Sequence, residues 1–151
     1  MAWQTKIQYA YQQLLLRLGQ CDLCGNTTET QALLCDTCLA ELPLFKQDFI
    51  QNDLLNWPAI NKALPNITFD TLFSLSPYLP PFSHWLPEFK YHGRFELAAF
   101  FANLLAKEWQ TSTVYQTIPK VDLVLSVPLH ITKWQSRGYN QAHLIAKHFA
   151  K

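Results

Sequence analysis

Glycine is scarce in this sequence, with four among 151 residues. Gly19 precedes the first cysteine, Gly25 sits among the cysteines, Gly93 separates two apolar segments and Gly138 lies in a polar loop. None of them opens a phosphate cradle after an acidic pair. Charge is sparse as well: 15% of residues are Asp, Glu, Lys or Arg, and 12 Lys+Arg against 11 Asp+Glu leave a net charge of +1. That balance removes the general electrostatic case for nucleic-acid binding, which rests on clustered cations against phosphates, and leaves room for a local basic patch alone. No apolar run reaches the roughly 18 residues that span a bilayer. The N-terminal MAWQTKIQYAYQQLLLRLGQC carries Gln and Tyr through its middle and lacks the uninterrupted apolar stretch of a signal peptide. The expected location is therefore the cytoplasm, with the cysteines reduced or metal-bound. Internal repeats and low-complexity segments are absent too.

The apolar content, in contrast, is high. Hydrophobic residues make up 49% and aromatic residues 14% of the chain, enough to build a core in one domain or a small module on a larger one. So many rings predict that some lie on surface that a partner covers. Trp3, Ile7, Tyr11, Leu14, Leu15 and Leu18 have the spacing of one helical face, with Gly19 as a stop. LAELP reads as a helical turn ended by Pro43, and residues 45–57 as a helix broken near Pro58. ITFDTLFSLSPY, with alternating apolar and polar residues, predicts a first strand. A Pro-Pro break precedes a short helix, and a strong helix is predicted from about Phe95 to Trp109 with Leu97, Phe100, Phe101, Leu104 and Leu105 inward. VDLVLSVP is a nearly continuous apolar run, the pattern of a strand buried on both faces of a parallel sheet. A last helix runs from about Tyr139.

Every cysteine falls in one segment, CDLCGNTTETQALLCDTC, as Cys21, Cys24, Cys35 and Cys38 in a C-x2-C-x10-C-x2-C pattern. Two such knuckles let backbone N–H groups point at the sulfurs while four thiolates reach a tetrahedral centre, the closed arrangement of structural zinc. Gly25, directly after the second cysteine, suits the left-handed turn of a knuckle. Disulfides fit poorly with a chain that lacks a secretion signal, and no cysteine is left over. Four protein ligands leave no open position for water, so the metal is expected to contribute folding energy and no catalysis.

The second chemical feature follows the VDLVLSV run. In open parallel sheets ligands bind beyond the carboxyl ends of strands, where loop amides and helix N-termini attract anions. Pro128, Leu129 and His130 occupy that position, and RGYNQ adds Arg137 as a bidentate donor, Gly138 for close backbone approach, and the amides of Asn140 and Gln141. A plainer reading stands beside it, with Arg137 a surface cation, Gly138 a loop residue and Asn140 a helix cap. Lys90, His92 and Arg94 form a local cationic group between two helices, either a solvated loop or an anion contact. His143 and His148 are five apart and do not share a helical face, so a second metal site is not expected. Ser126 lacks a nucleophile elbow and a base; no catalytic residue is assigned.

Taken in order, the cysteine knuckles, Lys90-Tyr91-His92-Gly93-Arg94, and Pro128-Leu129 followed by Arg137-Gly138-Tyr139-Asn140-Gln141 resemble the competence protein F (ComF) family over nearly the whole chain. The resemblance implies an N-terminal zinc ribbon with a preceding helix over residues 1–43, a helical linker over 44–66, and an incomplete α/β domain of type I phosphoribosyltransferase-like fold over 67–151. It further implies a part in DNA uptake during competence or growth on DNA, competence proteins or single-stranded DNA as partners, and a phosphate or DNA-backbone contact for Lys90, His92 and Arg94. Pro128, Leu129, Arg137, Gly138, Asn140 and Gln141 become ligand-side residues. The family's Asp-Asp-Val-x-Thr-Thr-Gly loop, which cradles phosphoribosyl pyrophosphate, does not occur in this sequence. That ligand and Mg²⁺ are accordingly expected in a complete family member, and the chain reads as the N-terminal part of one, without transferase activity of its own. The alternative is a zinc-ribbon binding module that contacts single-stranded DNA or a competence protein.

Overall fold

A computed structural model of the chain describes Ile7, Ala10, Tyr11, Leu14 and residues 18–28, 32–46, 53–64, 66–112 and 121–150. The first of these, Ile7, Ala10, Tyr11 and Leu14, are helical; most of the helix expected over residues 3–18 lies outside the described residues, as does residues 113–120 of the polar connection.

The cysteine segment is held by short local bonds. Gln20 and Thr27 form an antiparallel bridge, and the Cys21 N–H donates to Asn26 O at 2.8 Å and the Gly25 N–H to Cys21 O at 2.9 Å. Gly25 takes φ 72°, as the knuckle requires. Helix α1, Asp36–Ala40, starts at Cys35 and carries Cys38. A 3-10 turn over Leu54–Asn56 leads into α2, Pro58–Ala63. Pro58 therefore begins a helix where the sequence predicts a break. Proline at the first helical position loses no hydrogen bond, because that N–H has no intrahelical acceptor.

The centre of the molecule is a pair of helices, α3 (Phe82–Tyr91) and α4 (Glu96–Thr111). His92 and Gly93 separate them, with Gly93 at φ 72°. Phe82, Trp85 and Phe89 recur at helical spacing on α3 and are buried. They meet Leu97, Ala98, Phe101 and Leu104 of α4. Phe89 is fully buried, with its ring 6.0 Å from that of Phe101 and 6.1 Å from that of Tyr139. Leu33, Leu34 and Leu42 of the cysteine module join the same cluster, so the metal segment and the helix pair share one core.

Two further helices follow, α5 (Ile131–Arg137) and α6 (Gln141–Phe149), the latter packed on α4. The predicted last helix is α6, while α5 falls where the sequence reading has a loop. His130 caps α5 and Gly138, at φ 76°, ends it.

The described residues are mostly helical and contain no strand. Both segments expected as strands are instead irregular, the first with bends at residues 69–70 and 75, and neither forms a ladder. The first is bound piecemeal: the Phe45 N–H donates to Leu75 O, the Leu54 N–H to Leu72 O, and the Leu72 N–H to Asp53 Oδ1. In the second, Leu123, Leu125 and Val127 are 70–80% exposed. An apolar run chooses extended backbone by side-chain shape, but a sheet also needs a neighbour to pair with. None lies alongside among the described residues. The expected burial of VDLVLSV is thus not found, and no sheet of a phosphoribosyltransferase-like fold occurs among the described residues.

Phe89→Ala removes the ring on which α3, α4 and Tyr139 converge. It is expected to lower stability by about 3–5 kcal/mol, measured as a loss in urea-unfolding free energy; a loss below about 1 kcal/mol would show that this ring is not central to the core.

Candidate metal centre and the motif-bearing helix pair

The four cysteine sulfurs lie within 4.8 Å of one another, and Cys24 Sγ and Cys35 Sγ are 3.7 Å apart. Tetrahedral zinc with Zn–S bonds of about 2.3 Å sets sulfurs about 3.8 Å apart, so the donor set and its spacing fit the metal that the motif predicts. Cys21 is buried, Cys24 exposed, and Cys35 and Cys38 half-buried. Burial pushes the Cys21 thiol up, but backbone N–H groups of Cys24, Cys35 and Leu23 outweigh it and bring the thiol down to about 6. Cys38 is pushed well above the ordinary thiol range, first by its hydrogen bond with Cys24. Crowded thiols of this kind compete for the one negative charge that the backbone donors stabilise, and a dication relieves that competition.

Arg94 joins this centre to the helices. Read on sequence as either a solvated loop cation or an anion or DNA contact, it is 5% exposed and turned inward. Its Nη2 donates to Asp22 Oδ1 at 2.9 Å and its Nη1 to Asp22 Oδ2 at 3.2 Å. The same Nη1 reaches Glu88 Oε2 at 2.7 Å, and Nε reaches Glu96 Oε1 at 2.8 Å. Burial opposes the charge, and the bonds to Asp22, Glu96 and Glu88 outweigh that and hold the guanidinium protonated. With three carboxylates on its donors, Arg94 is not offered to a phosphate. Asp22, between two metal-site cysteines, also accepts from Trp85 Nε1 at 2.8 Å. Sequence reasoning missed Asp22, Trp85, Glu88 and Glu96. The acidic residue inside CDLC was visible, but its partner lies 72 residues on.

The structure brings the other two motifs together. Arg137 Nη2 donates to Tyr91 Oη at 3.0 Å, with the guanidinium carbon 4.9 Å from the Tyr91 ring centre, and Nη1 donates to Gln141 Oε1 at 3.2 Å. Gln141, 7% exposed, donates on to Lys90 O at 3.4 Å. Tyr139 Oη donates to Phe89 O. Asn140 caps α6 by accepting from the His143 N–H at 3.2 Å, and its Nδ2 donates to Val127 O at 3.0 Å. Asn140 thus fills the capping role of the plainer reading, while its second bond ties the VDLVLSV segment to α6. Pro128 is exposed, Leu129 half-buried and Gly138 exposed. His92 is exposed and Lys90 half-buried. His130 bonds its own helix start, with Nδ1 2.9 Å from Thr132 Oγ1.

Tyr91 is 58% exposed, and its phenol is pulled below the ordinary tyrosine range by the Arg137 hydrogen bond and charge, with Lys133 and Lys90 adding to the effect. These cations favour the phenolate, so removing Arg137 raises the pKa. The Arg137→Ala variant is expected to titrate Tyr91 at higher pH than the parent, read by tyrosinate absorbance with Tyr91→Phe as the subtracted reference. An unchanged titration would place the guanidinium elsewhere in solution.

No family model and no solved structure matches the chain. Curated proteins do. The chain is 29% identical over 150 residues to the DNA utilization protein YhgH of Salmonella typhi, a match covering 99% of this chain and 60% of that protein. The YhgH of Salmonella typhimurium is 28% identical over the same shares. That of Escherichia coli K12 is 27% identical over 129 residues, 85% of this chain and 52% of the relative. The chain therefore spans about half to 60% of the length of these relatives. Over that span it is a distant homologue of the DNA utilization protein YhgH, in line with its resemblance to the ComF family.

Proposed function

We propose that the chain is the metal-bearing part of a DNA utilization protein, with structural zinc on Cys21, Cys24, Cys35 and Cys38 and a DNA-backbone contact where the two later motifs meet. Zinc supplies a closed tetrathiolate cross-link and no reaction step. The ligand-side surface is made of Lys90, His92 and Arg137, with Pro128, Leu129 and Gly138 beside it and Asn140 and Gln141 setting the loop. One observation carries the reading: Arg137 meets Tyr91 at 3.0 Å, so residues 46 apart form a single cationic and aromatic surface. Lys90 and Lys133 contribute positive charge at the same phenol.

The relatives are DNA utilization proteins, which supports DNA as the polymer. Single strands suit the surface, since an exposed ring can stack on a base while cations follow the backbone. The division into a ribbon over 1–43, a linker over 44–66 and a phosphoribosyltransferase-like part over 67–151 belongs to the same proposal. No transferase step is assigned to these residues.

Anisotropy with a labelled single-stranded oligonucleotide tests the DNA contact. Lys90→Ala and Arg137→Ala are each expected to weaken binding at low salt, and each to reduce the slope of log affinity against log salt by about 0.7. Absent binding at low salt, or binding insensitive to salt, would refute the proposal.

A further inference from the structure

The contacts of Asp22 point beyond a stabilising ion pair. Asp22 stands between Cys21 and Cys24 in the first knuckle, so whatever holds its side chain also holds the backbone that carries two metal-site sulfurs. Its backbone N–H donates to Leu33 O at 2.9 Å, reaching towards the second knuckle. Both carboxylate oxygens are spoken for: Oδ1 by Arg94, Oδ2 by Arg94 and by the indole of Trp85. The carboxylate is therefore held at three points by groups on or beside α3 and α4, and its side chain is 10% exposed. Arg94 is oriented in turn by Glu88 on α3 and Glu96 on α4. Glu96 holds its Nε, and its Nη1 is shared between Glu88 and Asp22, which aims Nη2 at the knuckle.

We infer that Arg94 is a positioning residue for the metal centre, holding Asp22 so that the first knuckle presents Cys21 and Cys24 in the arrangement that binds zinc. Groups that orient metal ligands from outside typically change metal affinity by about 10–100-fold when removed. The guanidinium is suited to this because its fork fixes a carboxylate in direction as well as distance. A lysine at the same place would supply charge without the fork. The assignment also accounts for a cation in the KYHGR segment that is closed to solvent, with its charge spent inside the protein.

The test uses the full chain and Zn²⁺ alone, with affinity read by competition against a chromophoric chelator. Arg94→Met and Asp22→Asn are each expected to weaken zinc binding about 10–100-fold. The double variant is expected to be no weaker than the worse single one, because both act through one bond pair. Glu88→Gln removes the charge of an equally short ion pair with Arg94 but touches nothing in the knuckle, and is expected to cost several-fold less in zinc affinity. The visible bands of Co²⁺ bound in place of zinc, which report ligand geometry, are expected to change in the first two variants more than in the third. Parent-like zinc affinity in Arg94→Met, additive losses, or a Glu88→Gln loss equal to that of Asp22→Asn would each overturn the inference. Should Arg94→Met fail to fold, Asp22→Asn decides: it keeps the side-chain volume and an oxygen for Trp85, and unchanged affinity in it contradicts the assignment.

Discussion

A buried guanidinium against three carboxylates is the constraint on which the other parts of this structure depend. Arg94 at 5% exposure could not hold its charge without partners, because taking an ion out of water costs several kcal/mol even after the surroundings relax. Asp22, Glu88 and Glu96 supply those partners from three different segments. Each bond draws one segment towards the same point, so the knuckle, α3 and α4 take up one relative arrangement. Leu33, Leu34 and Leu42 then pack with Phe82, Trp85, Leu97 and Phe101. Burial gives most of the energy here and the ion pairs give the register. Replacing Arg94 would leave Asp22 and Glu96, whose side chains are 10% and 15% exposed, without their cation, whereas replacing one carboxylate leaves the guanidinium two others.

Helix α3 carries this arrangement onward. Its Trp85 and Glu88 face the Asp22 and Arg94 network, while its last residues hold the junction of α5 and α6: Phe89 O accepts from Tyr139, Lys90 O from Gln141, and Tyr91 Oη from Arg137. One ten-residue helix thus touches both features that the sequence marks as chemical. Homology to DNA utilization proteins gives that arrangement a context, and the proposed division of labour follows from solvent access. Arg94 is spent inside, Tyr91 and His92 are exposed, and Arg137 lies between them in burial.

Legibility in the sequence followed the range of the interactions. The metal centre was readable because each cysteine pair is separated by two residues and the chain has no other cysteines. The α4 helix was readable from its own apolar spacing, with Leu97, Phe101 and Leu104 buried as expected. Helix α5 was missed because HITKWQSR looks like a polar loop, although His130 before it and Gly138 after it are a cap and a stop. The two strands were read from side-chain preference, and pairing depends on a neighbour that local pattern does not specify. Arg94 was misread for a similar reason: a cation in a Gly-containing turn resembles a surface contact until Asp22, far away in sequence, is seen on it.

The central claim is that the metal knuckle and α3 form one cooperative unit through Asp22 and Arg94. Amide hydrogen exchange before and after zinc is stripped by a chelator tests this most directly, since residues of one unit lose protection together. The account predicts that the amides of Trp85, Phe89 and Tyr91 on α3 become less protected in step with those of Cys21, Asp22 and Gly25. Opening of the knuckle while α3 keeps its full protection would contradict it.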